Sequence, residues 1–104
     1  MNKFEYSISS DGYREWRLNG KLHREDGPAI ITPTGLSMFY LYGKLHREDG
    51  PATEFRDGSK YWWSNGKLHR EDGPAIEYGS GNKRWYLHGK ELSEKYFKES
   101  LDIH

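Results

Sequence analysis

Three copies of one heptapeptide carry most of the side chains able to do chemistry. His23-Arg24-Glu25-Asp26-Gly27-Pro28-Ala29 returns unchanged as His46 to Ala52 and as His69 to Ala75. A histidine and an aspartate three residues apart can form an acid–base pair. Three recurring histidines, His23, His46 and His69, suggest a shared zinc ion. In an antiparallel array with two strands per repeat, however, equivalent residues stand roughly 10 Å apart. Zinc needs each ligand atom about 2 Å away. The expectation is no metal and no cofactor. Nucleophilic catalysis is equally poorly served: there is no cysteine, and Ser37, Ser59 and Ser64 do not recur with the motif. Gly79-Ser80-Gly81 lacks the Gly-Lys-Ser/Thr ending that a phosphate-cradling loop requires. The chain therefore reads as a non-enzyme. In each copy the His and Arg are expected to pair with the Glu and Asp, or with backbone groups freed around the Gly-Pro step. His23, Arg24, His46, Arg47, His69 and Arg70 remain secondary binding candidates, suited to an anionic ligand.

The elements that position these residues follow from a fixed spacing of 23 residues. Gly12, Gly35, Gly58 and Gly81 keep it, as do Gly20, Gly43, Gly66 and Gly89, and the aromatics Trp16, Phe39, Trp62 and Trp85. A fixed period of this size indicates one small supersecondary unit stacked on copies of itself. Asn19-Gly20 and Asn65-Gly66 are strong two-residue hairpin signals. Tyr42-Gly43 and His88-Gly89 carry weaker first residues, so a different turn type is expected there. Pro28, Pro51 and Pro74 mark a bulge or strand restart. Asp57-Gly58, with Pro33-Thr34-Gly35 and Gly79-Ser80-Gly81 as variants, closes each unit. The fold class expected is all-β: an antiparallel β-meander of tandem 23-residue hairpin repeats with a short C-terminal capping helix. A single domain, 1–104, divides into an N-terminal cap strand (1–11), repeats 12–34, 35–57 and 58–80, a partial repeat 81–92, and the helix 93–102. Leu92, Tyr96, Phe97 and Leu101 would share its buried face, with Ser93 as N-cap.

Period two gives the strand before each Asn-Gly-type turn two sides. Trp16 and Leu18, with Phe39, Leu41, Trp62, Ser64, Trp85 and Leu87, form a row that reads as core. The other side carries Arg17, Tyr40, Trp63 and Tyr86, with Glu15, Met38, Tyr61 and Arg84 two residues earlier. Met38, Tyr40, Tyr61, Trp63 and Tyr86 are the leading candidates for contact with a partner, because Tyr and Trp are enriched at binding hot spots. The alternative is ordinary core, covered by the helix or by a curled sheet.

Composition narrows the partner. Sixteen basic and sixteen acidic residues leave formal charge zero, which gives no footprint for nucleic acid or an anionic membrane. Hydrophobic content is only 34%, and 15% of residues are aromatic, so a thin aromatic-rich core is expected rather than disorder. The first ten residues lack the apolar run of a signal peptide, and no segment reaches membrane-spanning length. A cytoplasmic location is the expectation.

The 23-residue period, the Trp-x-x-Asn-Gly-Lys-x-His run and the Asp-Gly turns resemble the MORN repeat family, over roughly Gly12 to Leu92. That resemblance implies hairpins stacked into an elongated, single-layer antiparallel sheet. The segment Gly-Lys-Leu-His-Arg-Glu-Asp-Gly-Pro-Ala stands where the family usually has Gly-x-Gly after the turn. This variant is similar to repeat proteins typical of bacteriophages and their hosts. The likeness implies a non-catalytic protein-binding module, a phage-encoded inhibitor of a bacterial defence system acting on a host protein in the host cytoplasm. Two other expectations stand beside it: a sponge for a small anionic nucleotide, and a structural or homo-oligomerising array.

Overall fold

Four left-handed turns set the geometry of the array. The computed structural model describes residues 1–101. The first turn residue has φ of 51° at Asn19, 50° at Tyr42, 50° at Asn65 and 51° at His88, and the glycine after it has φ of 82–83°. Positive φ at both positions is the type I′ hairpin, whose twist matches that of the flanking strands. Tyr42 and His88 thus adopt the same turn as the asparagines, contrary to the expectation of a different type.

The strands are β1 (Phe4–Ile8), β2 (Arg14–Leu18), β3 (Lys21–Leu22), β4 (Ile30–Ile31), β5 (Ser37–Met38), β6 (Tyr40–Leu41) and β7 (Lys44–Leu45). They continue as β8 (Thr53–Glu54), β9 (Lys60–Tyr61), β10 (Trp63–Ser64), β11 (Lys67–Leu68), β12 (Ile76–Glu77), β13 (Lys83–Leu87) and β14 (Lys90–Leu92), followed by the helix α1 (Glu94–Leu101). All the strand pairings are antiparallel, and the long sheet runs β1-β2-β4-β5-β8-β9-β12-β13-β14. This is the meander the turn spacing demands. Among the described residues no helix is long and apolar enough to cross a membrane. The expected end of the helix at residue 102 lies outside the described residues.

Two plain strands per repeat do not describe it fully. In the middle repeats the strand breaks at Phe39 and at Trp62, and its halves pair with different neighbours. Met38 pairs with Thr53 in the long sheet, whereas Tyr40 pairs with Leu45 across the hairpin. The aromatic between them serves both: Phe39 donates its N–H to Ala52 (2.7 Å) and accepts from His46 N–H (3.0 Å). The reason is local. After Leu45 the chain leaves the sheet through the His-Arg-Glu-Asp-Gly-Pro loop and rejoins at Ala52, so one strand must bridge two partners. The side hairpins are tied to one another as well, by Gly43 N–H to Leu22 C=O and Arg24 N–H to Tyr40 C=O, repeated down the chain.

Burial is greatest beneath the loops. Ala29, Ala52 and Ala75 are fully buried. The row read as core is not sealed: Trp16, Phe39, Trp62 and Trp85 are only half-buried, and within that row only Leu18 is buried. A single layer has no second sheet to cover them. The ends are closed differently. Strand β1 pairs along its full length with β2, Phe4 opposite Leu18 and Ile8 opposite Arg14. Helix α1 packs on the side of Trp85, and Phe97 is 3% exposed. Ser93 caps it, with its hydroxyl accepting Tyr96 N–H (3.2 Å). Tyr96, expected on the buried face, is exposed; the face that packs is centred on Phe97 and Leu101.

Candidate interaction surfaces

The repeated histidines lock one repeat onto the next. His23 Nδ1 accepts the N–H of Tyr42 (2.9 Å), His46 Nδ1 that of Asn65 (3.0 Å), and His69 Nδ1 that of His88 (2.8 Å). Each acceptor meets the first residue of the following left-handed turn. Because Nδ1 accepts, the proton of the neutral ring sits on Nε2. In the first copy Nε2 faces Glu25 at 3.0 Å; the corresponding separations from Glu48 and Glu71 are 3.9 and 3.7 Å. Where the turn residue is a ring it also stacks on the histidine, 4.3 Å for both His23–Tyr42 and His69–His88. The hydrogen bonds hold three non-glycine residues, Tyr42, Asn65 and His88, at positive φ, and the ring contacts support two of them. Among the described residues no group of three His, Asp or Glu is placed to hold a metal ion.

The arginines complete the loop. Arg24, Arg47 and Arg70 lie over the rings of Trp16, Phe39 and Trp62 at 3.9, 4.0 and 3.8 Å. Such stacking contributes about 0.5–2 kcal/mol per pair. The same guanidiniums donate to Asp26, Asp49 and Asp72 and to the carbonyls of Pro28, Pro51 and Pro74. The Arg70 hydrogen bond holds the Asp72 carboxyl below its usual range. The side chain crosses the glycine of its own motif. A Cβ on Gly27, Gly50 or Gly73 would meet the Arg Cζ at 2.9, 3.1 and 3.0 Å. These glycines are absent from the positive-φ positions, so close approach rather than backbone strain is what the motif glycine provides.

Comparison with protein-family models, curated proteins and solved structures found no match.

The second surface is the opposite face of the sheet. Cross-strand register places Ile30, Met38, Thr53, Tyr61 and Ile76 in one row, and Tyr40 and Trp63 lie two residues beyond Met38 and Tyr61. Arg84 pairs with Ile76, and Tyr86 lies two residues beyond it, so the five residues singled out by sequence, Met38, Tyr40, Tyr61, Trp63 and Tyr86, share this face, and all are half-buried. Helix α1 does not cover it; the helix lies on the Trp85 side. Tyr61 and Trp63 pack on residues outside this set of five. Phe55 packs on Tyr61 (5.1 Å), Tyr78 meets Tyr61 edge-on (6.2 Å), and Trp63 Nε1 donates to Thr53 Oγ1 (3.2 Å). Thr53 and Ile76 are each 3% exposed beneath these rings. Desolvation pushes the Tyr40, Tyr61 and Tyr86 hydroxyls above their ordinary pKa. The missing members were marked by the same period-two pattern in the strands after each proline.

Ion pairs stand at the two ends of this face. Arg17 bonds Glu15 (2.8 Å) at one end. At the other, Arg84 grips Glu91 through two bonds of 2.7 Å and donates to the Tyr78 hydroxyl (3.2 Å). The hydrogen bond from Arg84 lowers the Glu91 pKa, and its partner's is raised.

Proposed function

We propose that this chain is a non-catalytic protein-binding repeat module whose aromatic face engages a protein target. The observation that carries the reading is the layout of that face: Met38, Tyr40, Tyr61, Trp63 and Phe55 in the centre, ion pairs Arg17–Glu15 and Arg84–Glu91 at the ends. An apolar, aromatic centre with a polar rim is how protein contacts are built. The strands and loops around the rings hold them in place, which lowers the entropy lost on binding. Cations that could draw an anionic nucleotide or nucleic acid are already engaged. Arg24, Arg47 and Arg70 are stacked and paired with carboxylates, which weighs against the sponge reading. The narrower role, a phage-encoded inhibitor of a bacterial defence protein, is supported by the resemblance of the repeat unit alone.

The test is capture from host lysate by immobilised chain, compared across three variants. Trp63→Ala and Tyr61→Ala should abolish capture, a loss of about 2 kcal/mol or more, as hot-spot truncations give. Thr53→Val removes the acceptor beneath Trp63 without changing the outer surface. It should lower the melting temperature and leave capture intact. If capture instead follows stability through all three variants, the aromatic face is core and the reading fails.

A further inference from the structure

The first strand of the array has an open edge, and its residues suit one occupant. Strand β1 is exposed at every position. Phe4, Tyr6 and Ile8 are 67, 51 and 61% exposed, although all three are large and apolar. Among the described residues β1 pairs only with β2. Natural sheets shield such edges with charge, proline or a bulge, and an open apolar edge is a template for another strand.

Backbone direction decides what the edge offers. Asn19 N–H donates to Lys3 C=O (2.8 Å) and Ser9 N–H to Tyr13 C=O (2.9 Å), while Trp16 N–H turns away from β1 to Ala29. Lys3, Glu5, Ser7 and Ser9 therefore point their backbone groups at β2. In an antiparallel ladder the alternate residues, Phe4, Tyr6 and Ile8, point theirs outward. Their side chains share the face of Trp16 and Leu18, and the Tyr6 ring lies 4.8 Å from that of Trp16.

We infer that β1 pairs with β1 of a second copy, antiparallel and centred on Tyr6. In that register Tyr6 meets Tyr6, and Phe4 meets Ile8 on both sides of the axis. Every outward N–H and C=O of the three residues then finds a partner, since each such pair exchanges both bonds. The apolar side chains form one strip across the seam. Glu5 lies opposite Ser7, so no like charges face each other. Sliding the register by one pair toward the N-terminus sets Glu5 against Glu5, which is unfavourable. Sliding it the other way leaves the Phe4 backbone unpaired. The contact is isologous and closes on itself, so it yields a dimer rather than a fibre. The two long sheets become one, with both aromatic faces on the same side.

Sedimentation equilibrium of the full chain tests this. The expected result is a reversible monomer–dimer equilibrium with a dissociation constant in the micromolar to tens-of-micromolar range. Tyr6→Pro removes an outward donor while sparing the bonds to β2, and Ile8→Lys places a charge on the seam; both should be monomeric with native circular dichroism. Ser7 reads the register: Ser7→Arg should tighten the dimer and Ser7→Glu should weaken it, each by roughly tenfold, because each change acts twice across the axis. A wild-type chain monomeric at several hundred micromolar overturns the inference. So does a dimer that survives both Tyr6→Pro and Ile8→Lys, or one indifferent to the charge at Ser7.

Discussion

His23→Ala is the sharpest probe of the contact between repeats. His23 is 3% exposed, accepts the Tyr42 N–H at 2.9 Å and stacks on the Tyr42 ring at 4.3 Å. Truncation removes three contributions. The hydrogen bond, which is part-buried, is worth about 0.5–1.5 kcal/mol. The ring contact adds about 0.5–1.5 kcal/mol, and burial of the imidazole body about 1–2 kcal/mol. The loss should reach about 2–5 kcal/mol. His46→Ala is the internal control. Its partner Asn65 tolerates the left-handed conformation unaided and offers no ring, so only the hydrogen bond and the imidazole burial are lost, about 1.5–3.5 kcal/mol and less than for His23. His23→Asn keeps an acceptor near the Nδ1 position and should recover about 1 kcal/mol relative to alanine. Urea unfolding followed by tryptophan fluorescence reads all three. At a slope of about 1–3 kcal/mol per molar, a 3 kcal/mol loss moves the midpoint by about 1–3 M. Equal losses for His23→Ala and His46→Ala, or an asparagine as damaging as alanine, would refute the role given to the acceptor and the ring.

Two further outcomes are expected. Gly79→Ala should destabilise by about 2 kcal/mol or more, because its Cβ would collide with the Asp57 carbonyl oxygen. Gly81→Ala, with φ of 98° but nothing within 4 Å, should cost only about 1 kcal/mol of backbone strain; thermal melts that rank the two the other way would contradict this. The Asp57 carboxyl accepts the Ser59 N–H at 2.8 Å, which lowers its pKa in the folded chain. Its contribution is therefore present above the ordinary carboxylate pKa and is lost as pH falls through the lowered value. The melting-temperature gap between wild type and Asp57→Ala should narrow from neutral pH to about pH 3; a gap constant with pH would count against it.

Spacing alone carried much of the architecture. The glycine and aromatic periods led to an antiparallel meander, the helical spacing of Leu92, Tyr96, Phe97 and Leu101 to a C-terminal helix, and period two placed Met38, Tyr40, Tyr61, Trp63 and Tyr86 on one face. What spacing left hidden depends on contacts between repeats. Tyr42 and His88 look unsuited to a left-handed turn until the histidine of the preceding unit is seen to hold them. The split at Phe39 and Trp62 arises because a loop leaves the sheet between two pairing partners, and a strand pattern does not record where its partner departs. The tryptophan row has the alternation of a core, yet its cover is an arginine plane from a loop. Thr53, Phe55 and Tyr78 lie on or directly after strands without tryptophan, where the same alternation is carried by less conspicuous residues.

The histidine contact always reaches forward, from each unit to the turn of the next, and never back into its own hairpin. Every unit thus presents the same socket behind and the same plug ahead. Duplicating or deleting one whole unit in the middle preserves all the joints, and only the overall span changes, by about 10 Å per unit. A point mutation must negotiate with its neighbours, but a change of copy number need not. Length is the property of this chain that inheritance can alter with least disturbance, and with it the number of aromatic rings presented on the open face.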